Sequence, residues 1–139
     1  MPSLSQVRQS NNRLREAPPG LVAVFAGATS GIGEATCREF VRLTESPRVY
    51  LVGRNSTKGS SIVRELQQLN PSATVFFIQA DLTILRNADQ VLKIVSEKEK
   101  KVNLLFLSQG FLSLKGRQGK YINYRGYQTT TTNAPDRDL

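Results

Sequence analysis

The stretch from Leu21 to Phe40, LVAVFAGATSGIGEATCREF, constrains the fold of this chain more than any other. It opens with an apolar run rich in strand formers, Leu21 to Phe25, which predicts a buried β-strand. The chain then turns through Gly27, Gly31 and Gly33. It continues with Ile32, Ala35, Phe40 and Leu43 near one face at helical spacing. A strand, a glycine-rich turn and a helix make up the layout that holds a dinucleotide pyrophosphate. Glycine lets the backbone approach the ligand, and the helix N-terminus offers unpaired N–H groups to phosphate oxygens. The spacing is Gly-x3-Gly-x-Gly, and a glycine triple by itself is a weak signal. The competing reading is a turn into a helix that needs small residues for packing.

The rest of the chain repeats the strand–helix alternation. Residues 1–20 are polar and end in Ala17-Pro18-Pro19-Gly20, a stop before the first strand. Arg48 to Val52 predicts a second strand, closed by Gly53-Arg54-Asn55-Ser56. Ile62, Leu66 and Leu69 predict a helix from Thr57 to Leu69, ended by Asn70-Pro71. Ala73 to Gln79 predicts a third strand. Ala88, Val91, Leu92 and Val95 predict a helix to about Lys100, and Val102 to Leu107 a fourth strand. Short apolar strands with helical crossovers imply a doubly wound α/β architecture: a parallel sheet, covered on both faces, with right-handed crossovers. This domain is expected over 21–114. Residues 115–139 lose the alternation, contain a run of four Thr, and are expected to be irregular or disordered.

Composition narrows the function classes. The content of 39% hydrophobic and 22% charged residues is that of a globular protein. No apolar run approaches the ~18 residues of a membrane span, and no secretory leader is visible. Arg8, Arg13 and Arg15 faintly suggest a mitochondrial presequence, but apolar residues there are too sparse for a strong amphipathic face. A single Cys excludes an internal disulfide and fits a reducing compartment, so a cytoplasmic location is expected. Cys37 reads as a core thiol. With no His, a transition-metal site is not expected. The net charge of +8 is spread along the chain. It supports weak attraction to polyanions but no specific nucleic-acid recognition.

The segment Ala26-Gly27-Ala28-Thr29-Ser30-Gly31-Ile32-Gly33 resembles the T-G-x-x-x-G-x-G motif of the short-chain dehydrogenase/reductase family, with Ala26 in place of Thr. The resemblance covers about residues 20 to 117, and within the family it is similar to a fungal secondary-metabolite branch. It implies a Rossmann-type sheet, a nicotinamide cofactor and a small carbonyl or alcohol substrate. Ligands of doubly wound sheets bind at the carboxyl ends of the strands. After the first strand come Gly27, Thr29, Ser30, Gly31, Ile32 and Gly33. After the second comes Arg54, where an NAD enzyme usually offers an acid; a cation there pairs with a 2′-phosphate and favours NADP. Gly53-Arg54-Asn55 resembles NADP-preferring members, and Ser30 is a further candidate for the same phosphate.

After the third strand, the resemblance assigns Asp81 to the adenine amino group, with the backbone of Leu82 contributing. A helix N-cap is the competing role for Asp81. After the fourth strand, Leu107-Ser108-Gln109-Gly110 stands where the family reads N-N-A-G. Ser108 and Gly110 are expected beside the adenine ribose, and the strand-locking Asn is missing.

The family's catalytic Tyr-x-x-x-Lys has no counterpart in this sequence. Tyr121 with Arg125 is the nearest approach, and Arg is a poor geometric substitute for Lys. Family chains are considerably longer, so the expected sheet is truncated to about four strands with three to four helices. Three functions stay open: an NADP-dependent oxidoreductase reduced to its cofactor half, a reductase completed by another chain, and a non-catalytic NADP-binding or interaction module. The fourth strand is left with an unpaired apolar edge, so self-association is expected.

Overall fold

The computed structural model describes residues 1–108 and two short strands beyond them. Its core is a four-stranded parallel sheet in the order β3-β2-β1-β4. The strands are β1 (Val22–Ala26), β2 (Arg48–Gly53), β3 (Thr74–Gln79) and β4 (Leu104–Leu107). All five residues of β1 are buried, which explains why VAVFA is apolar without alternation: it lies between two strands and two layers. Its register sets Phe25 beside Leu51 on one side and Phe106 on the other.

The crossovers are α2 (Gly31–Leu43), α3 (Ser56–Leu69) and α4 (Leu85–Lys98). The sheet grows from β1 through β2 to β3 and then reverses to β4. Right-handed crossovers therefore put α2 and α3 on one face and α4 on the other. Cys37, Phe40 and Val41 of α2 and Ile62 and Leu66 of α3 pack on Ala23, Phe25, Val49 and Leu51. Val91 and Val95 of α4 pack on Val22, Val24, Tyr50 and Val52. The reversal falls between β1 and β4, and in doubly wound sheets ligands bind at the carboxyl ends of the strands at such a point.

Three helix faces differ from the sequence expectation. The buried side of α2 is Gly33, Cys37, Phe40, Val41 and Leu43. Ile32 is 78% exposed and Ala35 is also exposed, because the turn through Gly31 starts the helix with Ile32 facing out. Leu92 of α4 is 65% exposed, since only Val91 and Val95 reach the sheet, and Leu69 lies at the exposed end of α3.

The polar N-terminal segment forms a helix, α1 (Leu4–Asn12), followed by a 3-10 turn over Arg13–Glu16. Ser3 Oγ accepts from the Gln6 amide, and Gln6 Oε1 accepts from the Ser3 amide. This capping box is legible as S-x-x-Q. The helix buries none of its residues.

Asn70 braces the far end of the domain: its Nδ2 donates to the carbonyls of Val41 and Thr44. Glu99, just after α4, accepts from Arg48 Nε at 2.5 Å and Tyr50 OH at 2.6 Å.

Within 115–139, β5 (Lys120–Ile122) and β6 (Gln128–Thr130) pair antiparallel, where the sequence suggested irregular chain. The expected boundary at residue 114 lies outside the described residues.

Candidate functional site

The glycine turn leaves β1 at its carboxyl end. The Gly27 amide donates to the Val52 carbonyl, and Gly27 has φ +80°. The three glycines of the motif have different physical roles. Gly33 is wedged: a Cβ there would lie 2.7 Å from the Gly27 carbonyl oxygen, 3.0 Å from Ala28 Cα and 3.1 Å from Ser108 Cβ. It brings α2 against β1 and β4. Gly31 has φ +61°, and among the described residues a Cβ there would meet nothing within 4 Å. That open space above the first turn of α2 suits a ligand that approaches the backbone closely. The N-cap, Ser30, makes no side-chain cap hydrogen bond, so the first amides of α2 are left without a side-chain cap. Glu34 is the one acid in that first turn. Arg38 binds it at 2.8 Å and also pairs with Glu65, which offsets its repulsion of an anion.

The second station is the end of β2. Thr29 Cγ2 would lie 2.7 Å from a Cβ on Gly53, so the absence of a side chain at Gly53 lets the glycine turn close onto β2. Arg54 follows and is exposed. Asn55 has a structural role: its Oδ1 accepts from the Lys58 amide at 3.0 Å and caps α3. Gly59, in the second turn of α3, faces the Phe77 ring so closely that a Cβ would overlap it.

The third station is the end of β3. Asp81 Oδ1 accepts from the Thr83 hydroxyl at 2.6 Å and the Thr83 amide at 3.0 Å. These two bonds, with the charge of Arg54 contributing, hold its carboxyl below the usual range. Asp81 therefore shapes its own turn; the N-cap of α4 is Ile84, which makes no side-chain cap. Asn87 Nδ2 donates to the Asp81 carbonyl at 2.9 Å and pins the turn. Leu82 packs against the sheet, leaving its backbone as the part able to meet a ligand.

At β4, the Ser108 amide donates to the Ala26 carbonyl at 2.9 Å, so the ladder extends one residue past the strand. Gly110 lies outside the described residues. Although the family's Asn is absent, β4 is locked at its other end: Asn103 Oδ1 accepts from the Val22 amide at 2.9 Å, and its own amide donates to the Val22 carbonyl.

Gln79, whose Nε2 donates to the Arg54 carbonyl, and Asn103 are the residues that sequence reasoning missed. Neither belongs to a motif, and their roles depend on strand register. Cys37 is buried, and burial pushes its thiol up to about 12. Among the described residues, no group of His, Cys, Asp and Glu could hold a metal, and no helix is long and apolar enough to cross a membrane.

The glycine turn, Arg54, Asp81 and Ser108 thus stand at the carboxyl ends of four adjacent parallel strands. Residues 21–124 match the short chain dehydrogenase family. Oxidoreductase AN1596 of Emericella nidulans is 44% identical over 117 residues, which is 84% of this chain and 35% of that protein. Oxidoreductase andH of Emericella variicolor is 36% identical over 110 residues, 79% of this chain and 33% of that protein. L-Sorbose reductase from Gluconobacter frateurii, complexed with NADPH and L-sorbose, superposes with a TM-score of 0.62 at 25% identity, over 68% of this chain and 35% of that one. An alcohol dehydrogenase from Thermococcus sibiricus, complexed with 5-hydroxy-NADP, gives 0.55 at 29% identity, over 61% of this chain and 35% of that one. The chain spans about a third of the length of the curated relatives it matches. By sequence and by fold, the chain belongs to the short-chain dehydrogenase/reductase family, whose members bind a nicotinamide cofactor and act on small molecules.

Proposed function

We propose that this chain is the NADP-binding half of a cytoplasmic short-chain oxidoreductase of secondary-metabolite biosynthesis. The observation that carries the cofactor choice is Arg54, a cation rather than an acid just after β2, beside the glycine turn. The two solved relatives described with NADPH and 5-hydroxy-NADP support it by analogy. The fungal oxidoreductases support the reaction class in the same way, and the pathway class rests on the resemblance in sequence.

When bound, NADP(H) supplies or accepts the hydride. The residues of this chain bind and orient it. The first amides of α2 and the Ser30 hydroxyl meet the pyrophosphate across the open space at Gly31. The guanidinium of Arg54 pairs with the 2′-phosphate, with Ser30 a second donor. The free oxygen of Asp81 accepts from the adenine amino group, with the Leu82 backbone beside it. Asn55 holds α3 in place, and Ile32 stands at the mouth of the turn. Ser108 flanks the adenine ribose.

Substrate turnover needs an acid–base group, and the sequence contains no Tyr-x-x-x-Lys. By itself the chain therefore binds cofactor without reducing substrate, and a non-catalytic NADP-binding module is the second reading that this absence favours. Calorimetric titration tests the binding: NADPH is expected to bind more tightly than NADH, and Arg54→Asp to reverse or abolish the preference. Equal affinities for the wild-type chain would refute the NADP assignment. Hydride transfer by the purified chain to a carbonyl substrate would refute the absence of turnover.

A further inference from the structure

Gln79 is the last residue of β3, in register with Gly53 at the end of β2. The last backbone rung between the two strands runs from the Ala80 amide to the Gly53 carbonyl at 2.9 Å. Beyond that rung a side chain continues the pairing: Gln79 Nε2 donates to the Arg54 carbonyl at 3.1 Å. Only Arg54 and Asn55 separate β2 from α3. The connection is held at three points, by the Gly53 rung, by the Gln79 amide on Arg54, and by the Asn55 cap on Lys58.

The Arg54 side chain is exposed and carries the full rotamer entropy of a long cation. What the fold can set is the direction in which it leaves the backbone, and the Arg54 carbonyl is the group Gln79 holds. The positive charge of Arg54 also helps to hold the carboxyl of Asp81, on the neighbouring turn, below the usual range.

We propose that Gln79 is a positioning residue for cofactor discrimination: its amide fixes the Arg54 backbone so that the guanidinium is presented to a phosphate on the adenosine ribose. This rests on the NADP assignment above. A side chain that merely braced the loop would affect both cofactors alike, because NAD and NADP share every group except that phosphate. A side chain that acts through Arg54 affects only the phosphorylated one.

The test is calorimetric titration of the full 139-residue chain with NADPH and with NADH. Gln79→Met keeps length and removes the donor. It is expected to weaken NADPH about 3- to 10-fold, the range of one lost hydrogen bond, and to leave NADH unchanged. Gln79→Glu sets an acceptor against the carbonyl and is expected to weaken NADPH further. In an Arg54→Ala background, Gln79→Met should have no additional effect. Equal weakening of both cofactors, or an undiminished effect without the Arg54 side chain, overturns the proposal. A wild-type chain without NADPH preference overturns the NADP assignment and this proposal together. An NADPH preference undiminished by Gln79→Met overturns this one alone.

Discussion

Gly33→Ala isolates the packing role of the glycine motif from its ligand role. Gly33 lacks the positive φ of Gly27 and Gly31, so alanine brings no backbone strain there. The cost is steric. The new Cβ would sit 2.7 Å from the Gly27 carbonyl oxygen and 3.0 Å from Ala28 Cα, and both are backbone atoms of the turn that leaves β1. Neither can rotate away, so α2 or the turn must shift by several tenths of an ångström. Overpacking of this kind costs about 1–3 kcal/mol. The helix-propensity gain of alanine over glycine, at most ~1 kcal/mol, offsets part of it. A net loss of about 1–2 kcal/mol is expected. With a urea dependence of ~1 kcal/mol/M, the unfolding midpoint followed by circular dichroism should fall by roughly 1–2 M. The third neighbour, Ser108 Cβ at 3.1 Å, is a side-chain atom. Adding Ser108→Gly should therefore recover less than half of the loss. A Gly33→Ala midpoint equal to or above wild type would refute the wedge argument.

Other outcomes follow from named contacts. Gly31→Ala meets no atom of the described residues but adopts φ +61°, so it should cost about 1–2 kcal/mol from left-handed strain and weaken NADPH in calorimetry; full affinity would make that glycine purely structural. Glu99 has its carboxyl held low by Tyr50 and Arg48 despite burial. Its folded pKa lies below the unfolded one, so its stabilisation is complete above pH 4.5 and is lost as pH falls below that value. Glu99→Gln should flatten that part of the stability–pH curve, and an unchanged acid limb would exclude Glu99 as its source. Cys37, buried and with its thiol pushed up to about 12, should resist alkylation at pH 8 until the chain is unfolded; rapid labelling of the native chain would contradict its burial. Leu105, 58% exposed on uncharged β4, should promote self-association through the sheet edge. Concentration-dependent light scattering reduced by Leu105→Lys is the expected result, and a monomer at all concentrations would refute it.

The sequence alone determined the strand–helix alternation and the parallel sheet, because each element announces itself locally. Apolar runs such as VAVFA can be satisfied only between two layers, and turn residues punctuate each run. The glycine spacing and Arg54 were likewise legible, since a motif is a local property of the chain. The exposed helix faces were not. Ile32 and Leu92 carry the right spacing for a core, yet which side of a helix is buried depends on the phase at which the turn launches it. Only the tertiary structure separated the three glycines into a turn, an open space and a wedge, because Gly33 is defined by Ala28 and Ser108, far apart in sequence and brought together beyond the ends of β1 and β4. Gln79 and Asn103 gained their roles in the same way. A hydrogen bond across 25 or 81 residues exists only once strand register has brought its partners to the same level, and register is a property of the assembled sheet.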